Sequence, residues 1–481
     1  MTTPSDFPRP ARIRAQDRIG PTRTPTFGFV LLGGVLVGAQ VRDIRLANEL
    51  VRRGYPVHVW WAFDKVREAP LSPEIRQNWL FSAARYTSYT GSWELNDRIG
   101  RAVNRMTSDQ TRAKVVQWMP RFAAQQIRAV IELACRGVER DRGLARRFAG
   151  ELDAAGVTHV LPNLEILALF AEAAREFAAS PFKCLVTFQG YEVYANFARE
   201  LGCEAELYRR LAGVVERSDW PAVAVSDAYC NRIRREVSVP LSQLCSIPPG
   251  VPVGIPMAQE KACTLVREAF PEFRPDVPLV TYVGRQDSEK GLDLLLYAAR
   301  LLQHRNVPLQ LAICGPTTFG SAYEKACRQI AEHLRVPVLS RGYISDELRS
   351  ALFRASRTVV YPSIHEEPFG MVPVEAMAQG TPVVVPDVGG IAGVIEVNGM
   401  RGGLHFSCWD SGALAHSIES LITNSALHSE LSGTALDVAE YFSVERLGER
   451  VLAHIGLPAC NEAAGAVQPA VVSRSEMRRA A

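Results

Sequence analysis

His365-Glu-Glu-Pro-Phe-Gly-Met-Val-Pro-Val-Glu375-Ala-Met-Ala-Gln-Gly380-Thr-Pro-Val-Val-Val-Pro386 contains a whole structural unit in one run. Pro368 and Gly370 mark a turn, Val372 to Gln379 reads as a helix, and Val383 to Val385 reads as a short buried strand. Strand-loop-helix-strand of this kind belongs to a parallel sheet with helices on both faces. Two carboxylates, Glu367 and Glu375, stand eight positions apart on either side of the turn. Ligands of such sheets bind at the carboxyl ends of strands. A carboxylate there accepts charge-assisted hydrogen bonds from sugar and ribose hydroxyls. Glu375 lies among Val374, Ala376 and Met377, an apolar setting in which an unpartnered charge is costly.

Outward from this unit, the alternation continues. Strands are expected at Leu279 to Val283, Leu309 to Cys314, Val336 to Ser340 and Thr358 to Tyr361, with helices at Lys290 to His304 and Tyr323 to Leu334. An earlier series opens with Phe27 to Leu32, Gly33-Gly34 and a helix from about Ala39 to Arg53. It continues with strands at Pro56 to Trp61, Val157 to Leu161, Lys183 to Phe188 and Ala222 to Val225. The run Ile247 to Pro256, rich in Pro and Gly, suits a hinge between the two series. Two tail helices are expected near Ala413 to Thr423 and Val444 to Ile455.

The bulk numbers agree with two domains. The chain has 481 residues, 47% hydrophobic and 22% charged, and a formal net charge of +3 that does not suggest nucleic acid. No run approaches the ~18 apolar residues of a membrane span, and Met1 to Pro25 has no apolar secretory core, so a cytoplasmic protein is expected. The ten cysteines form no CxxC pair and the nine histidines no HExxH, so neither a metal site nor a disulfide framework is expected. Between Arg98 and Arg147, twelve Lys or Arg face four acids, with apolar residues such as Val130 and Ile131 interleaved. That segment reads as one or two basic amphipathic helices. They present either a surface for anionic lipid at the inner face of a membrane or a solvated face lining a cleft.

A second stretch, Tyr282-Val-Gly284-Arg285-Gln-Asp-Ser-Glu-Lys290-Gly291, places two cations on a strand-end loop, where they can neutralise a diphosphate. They could equally be surface cations paired with Asp287 and Glu289.

These motifs resemble those of the retaining glycosyltransferases of family 4, with the GT-B fold. Residues 367 to 384 are similar to that family's Glu-x7-Glu pattern, with Pro368 in place of the usual Gly, and residues 284 to 291 to its G-R-x-x-x-x-K-G pattern. The resemblance runs from about Phe27 to Ile455 and is weak between residues 62 and 180. It implies two Rossmann-like doubly wound α/β domains facing each other across a cleft, with a C-terminal helix packing back on the first. The implied organisation is a disordered basic start (1–25), an acceptor-binding domain (26–252) with the basic insertion (about 93–148), a nucleotide-sugar-binding domain (257–440), a crossover helix (441–457) and a disordered tail (460–481).

By the same resemblance, Glu367, Arg285 and Lys290 are the catalytic group. Gly33, Gly34, Gln189, Gly190, Gly284, Phe369, Gly370, Met371, Val372 and Glu375 are the donor-binding residues. Glu367 would meet sugar hydroxyls and Glu375 the ribose. Gln189 stands where many members have His, and Arg42 is a further possible contact. The implied donor is a UDP- or GDP-sugar, without metal. The implied acceptor carries a hydroxyl on a saccharide, a lipid-linked molecule or a small molecule. A sugar phosphorylase or a non-catalytic nucleotide-sugar-binding protein shares the fold and remains an alternative, while His365 reads as a loop residue.

Overall fold

A computed structural model of the chain describes residues 24–33, 38–62, 69–81, 130–317 and 320–460. Gly34, residues 98–129 of the basic insertion, and almost all of both expected disordered ends lie outside the described residues.

The first half is built on β1 (Phe27–Leu32), β2 (Val57–Ala62), β3 (Arg76–Phe81), β4 (His159–Pro162), β5 (Lys183–Cys184), β6 (Thr187–Phe188), β7 (Ala222–Ala224) and β8 (Leu244–Ser246). All pairings are parallel, in a five-stranded sheet of order β3-β2-β1-β4-β5 and a three-stranded sheet β6-β7-β8. The single strand expected over Lys183 to Phe188 is therefore two strands in two sheets. The Leu185 N–H donates to Val160 O while Val186 O accepts from Val223 N–H, so the chain changes partner in mid-run. Every residue from Cys184 to Phe188 is buried on both sides of this change, which makes the run look uniform in sequence.

The second half carries β9 (Leu279–Val283), β10 (Gln310–Cys314), β11 (Val338–Arg341), β12 (Thr358–Val360) and β13 (Val383–Pro386). A small antiparallel pair, β14 (Glu396–Val397) and β15 (Met400–Arg401), precedes β16 (Gly403–Phe406). The main sheet is parallel, with order β11-β10-β9-β12-β13-β16. Both large sheets are doubly wound: the order reverses between β1 and β4 in one and between β9 and β12 in the other. At such reversals the loops diverge and leave room for a ligand.

Three local corrections follow from geometry. The helix expected from Lys290 begins at Leu292, because Ser288–Lys290 is a single 3-10 turn and Gly291 adopts φ +64. A Cβ on Gly291 would lie 2.2 Å from Pro362 O, so the chain passes too close to the β12 loop for any side chain. The strand expected at Val336 to Ser340 runs Val338–Arg341, and the helix expected at Val372 to Gln379 runs Met371–Met377. β3, β8, β14, β15 and β16 and the helices Gln259–Ala269 and Ser425–Tyr441 were not expected.

The C-terminal helix Val444–His454 returns to the first half. Its Leu447, Val451 and Leu452 join the core made by β1, β2 and the helix Gly38–Arg52. Gly448 permits this approach, since a Cβ there would meet Glu49 Cγ at 2.8 Å. At the connector, Val251 bridges Ser443 in parallel fashion. The described part of the basic segment is also tied to the body, with Val130 and Ile131 in the core and Arg142 and Arg146 over the Phe177 ring.

Candidate functional site

Lys290 and Glu367 meet at the point where the second sheet reverses its order. Lys290 arrives on the loop after β9 and Glu367 on the loop after β12, and the ammonium pairs directly with Glu367 Oε1. Lys290 is only 4% exposed. Burial works against its charge, but Tyr361 and Glu367 outweigh burial and hold its pKa above the ordinary lysine value. Burial likewise opposes ionisation of Glu367, yet Lys290 and His365 keep its carboxyl below the ordinary carboxylate range.

Three further groups complete this cluster. Ser363 Oγ donates to Glu367 Oε1 at 3.0 Å. His365 places Nε2 3.6 Å from Glu367 Oε2, with its Nδ1 2.9 Å from Ser363 Oγ. His365, read as a loop residue from sequence, thus stands against the first glutamate. The Tyr361 ring lies under Lys290 at 5.9 Å, and burial pushes its phenol up to about 12.

Arg285 is in the same neighbourhood through Glu289. Its Nη2 is 2.5 Å from Glu289 Oε1, and Lys290 Nζ is 3.4 Å from that same oxygen. The guanidinium also pairs with Asp287. Both ways of reading Arg285 from sequence therefore have a counterpart: it lies beside Lys290, and it is engaged by Asp287 and Glu289. Gly284 precedes it, with its N–H on Cys314 O at 3.0 Å.

Glu375 has other partners. Arg45 of the first half reaches it at 2.8 Å, and Arg349 reaches its second oxygen at 3.4 Å. The turn at Gly370, φ +104, separates the glutamates, leaving Glu367 in the loop and Glu375 in the helix Met371–Met377. Phe369 packs edge-on against Phe442 at 5.4 Å, and Val372 packs against the core. Met371 faces the first half, where a Cβ on Gly38 would be 3.3 Å from its Cε.

The first half contributes the carboxyl ends of β1, β4, β6 and β7. Gly33 follows β1 and donates its N–H to Ala62 O at 2.7 Å. Gln189 and Gly190 follow β6, and Gly190 caps the helix Tyr191–Glu200. The Gln189 amide nitrogen is committed within the first half, to Asp43 Oδ2 and Asn163 O at 2.7 Å each. Arg42 is buried and pairs with Asp43 at 2.5 Å, so neither it nor the Gln189 amide donor projects from the edge. Ser226, after β7, donates to Pro368 O at 2.7 Å and joins this edge to the Glu367 loop. Gly390 N–H donates to Glu367 O at 2.7 Å and braces the loop from behind.

Arg45, Arg349, Ser226, Ser363 and Tyr361 escaped the sequence reading. Arg45 and Ser226 meet partners 330 and 142 residues away, which only the assembled fold brings to them, whereas Ser363 stands four residues from Glu367 and looks like any other loop residue. Among the described residues no group of three or more His, Cys, Asp or Glu could hold a metal ion. No described helix is long and apolar enough to cross a membrane.

Residues 267–436 match the model of the family described as glycosyl transferases group 1. Over 128 residues the chain is 37% identical to an uncharacterized glycosyltransferase of Methanocaldococcus jannaschii, covering 26% of this chain and 32% of that one. Over 251 residues it is 28% identical to a D-inositol 3-phosphate glycosyltransferase of Nocardioides sp., covering 50% of this chain and 54% of the relative. The matched region thus spans between a third and about half of these relatives. Among solved structures, Anabaena HepE in complex with UDP-glucose superposes with a TM-score of 0.66 at 17% identity, covering 90% of this chain and 99% of that one. The fold is the GT-B arrangement of two α/β halves with parallel sheets.

Proposed function

We propose that the protein is a retaining glycosyltransferase that moves a hexose-type sugar from a nucleotide sugar to a hydroxyl acceptor. The observation that carries this reading is the buried Lys290–Glu367 pair, with Ser363 and Arg285 beside it, at the order reversal of the second sheet. It joins an acceptor for sugar hydroxyls to two cations suited to a diphosphate, at the edge where such folds take ligands.

A sugar nucleotide would exchange these partners. Its hydroxyls would take hydrogen bonds to Glu367, and its diphosphate would draw on Arg285 and Lys290, which Asp287, Glu289 and Glu367 now neutralise. In the transfer, the acceptor oxygen bonds to the anomeric carbon as the bond to the diphosphate breaks. The acceptor proton passes to the departing phosphate on the same face, so retention needs no protein base. Arg285 and Lys290 stabilise the charge that grows on the leaving group, and the two halves position the reactants. The relative's name makes an inositol phosphate a reasonable first acceptor, and the HepE complex makes UDP-glucose a reasonable first donor. A cytoplasmic setting belongs to the same reading.

The test is a panel of UDP- and GDP-sugars scored by thermal shift, followed by NMR of the product anomer with the donor that binds. One donor should raise the melting temperature, release its nucleotide and yield a product of unchanged anomeric configuration. If no donor shifts the transition or is consumed, the proposal fails.

A further inference from the structure

The Glu375 carboxylate is held from across the two halves by a side chain with a second attachment. Arg45 lies on the helix Gly38–Arg52 of the first half. Its Nη2 donates to Glu375 Oε1 at 2.8 Å, and its Nη1 donates to Gly250 O at 3.1 Å. Gly250 belongs to the Pro- and Gly-rich connector between the halves. One planar guanidinium therefore spans the first half, the connector and the second half. A lysine, with a single point charge, could not hold all three together. The Arg45 and Glu375 side chains are 15% and 12% exposed, so solvent screens their attraction far less than it would a surface pair.

The surroundings fit a junction. Met371, one helical turn before Glu375, lies 3.9 Å from Arg45 Nη1 through its sulfur and faces Gly38. Arg349 takes the other Glu375 oxygen from within the second half. Each carboxylate oxygen has two lone pairs, so these two cations leave acceptor capacity for hydroxyls. Moving the halves apart would strip Glu375 of Arg45 but not of Arg349.

We propose that Arg45 is a positioning residue that fixes the Glu375 carboxylate and, through Gly250, couples hydroxyl recognition at Glu375 to the relative setting of the two halves. The hydroxyl part rests on the proposed sugar-nucleotide reading, while the coupling between halves does not.

The experiment compares wild type with Arg45→Met, Arg45→Lys, Glu375→Gln and the Arg45→Met/Glu375→Gln double variant. Solution X-ray scattering is recorded without nucleotide, and donor KM and kcat are measured separately. Arg45→Met should enlarge the radius of gyration and raise donor KM about tenfold, within the ~5–150-fold range usual for coupling between sites. Its kcat should move by less than about threefold, the pattern of lost binding, and the double variant should be no worse than Glu375→Gln alone. Arg45→Lys should fall between wild type and Arg45→Met in both readouts, and serves if Arg45→Met does not fold. Scattering and KM unchanged in the folded Arg45 variants, or additive effects in the double variant, overturn the proposal. If wild type consumes no sugar nucleotide, the functional reading fails and scattering alone decides whether Arg45 couples the halves.

Discussion

Replacing Lys290 by Met separates the electrostatic account of the site from a merely steric one. The ammonium is the direct partner of Glu367, and it lies in a pocket that leaves Lys290 only 4% exposed. Methionine fills a similar volume without the charge. The Glu367 carboxylate then keeps Ser363 at 3.0 Å and His365 at 3.6 Å, and loses its main neutralising neighbour. Removing one member of a buried pair costs roughly 3–5 kcal/mol when the survivor stays charged.

The survivor can avoid that cost by taking up a proton, which gives the prediction its pH signature. In the wild type the folded pKa of Glu367 is depressed below 4.5, so its stabilisation is present above the unfolded value and is lost as pH falls through the folded one. In Lys290→Met burial dominates, the folded pKa rises above the unfolded value, and the penalty grows as pH rises from the carboxylate range. The stability gap between wild type and variant should therefore widen from pH 5 to pH 8, by about 1.4 kcal/mol for each unit of reversed shift. Lys290→Met/Glu367→Gln, neutral on both sides and still bonded to Ser363, should recover most of the loss. Urea unfolding followed by tryptophan fluorescence at the two pH values measures both effects. A gap independent of pH, or a double variant as unstable as the summed singles, would refute the reasoning. It also follows that Glu367→Ala is a poor probe of transfer, since it leaves Lys290 buried without its partner; Glu367→Gln is the better one.

Glu165 is fully buried, and burial, with Glu192 nearby, pushes its pKa up to about 8. The folded protein holds a proton that the unfolded chain loses above 4.5. Glu165→Gln should therefore stay close to wild type near pH 5 and exceed it by up to ~5 kcal/mol near pH 9, in thermal melts whose difference must grow with pH. Gly390→Ala would set a Cβ 1.9 Å from Pro368 O and 2.4 Å from Ser226 Oγ. It should shift the Glu367 loop at an overpacking cost of ~1–3 kcal/mol and reduce transfer at least ~10-fold, and unchanged turnover would show that the loop position is not limiting.

Strands buried on both faces were legible as strands, although the change of sheet inside the run Lys183 to Phe188 was not. β9 is apolar or Thr throughout and fully buried, and its expected limits coincide with those found. The missed strands lie at sheet edges. β3 reads Arg-Gln-Asn-Trp-Leu-Phe and β16 reads Gly-Leu-His-Phe, because an edge strand can leave polar side chains in solvent and shows no continuous apolar run. The helix Ser425–Tyr441 buries Leu431, Ala435, Val438 and Ala439, two of them alanines, so its inner face gave a weak periodic signal. At the site, motif spacing singled out Glu367, Glu375, Arg285 and Lys290, with Asp287 and Glu289 beside the cations, but not Ser363, Arg45 or Arg349, which hold the two glutamates. Ser363 hides among ordinary loop residues, and Arg45 has one more arginine's appearance on a helix that also carries Arg42 and Arg52.

Read as a motif, the two glutamates suggest one grip on one ligand; in the folded chain they belong to different contacts. Gly370 turns the backbone between them, so Glu367 is directed to the interior edge of its own sheet and Glu375 to the other half. Each side chain there has a counter-charge because a buried carboxylate or ammonium without one is too costly to keep. The motif fixes which groups can exchange partners with a ligand, and the fold decides which groups they hold meanwhile. A ligand bearing hydroxyls at both ends and phosphate between them would exchange partners at both glutamates and both loop cations. Recognition of its two ends then depends on the relative setting of the halves, because of these two glutamates it is Glu375 that, among the described residues, draws a counter-charge from the other half.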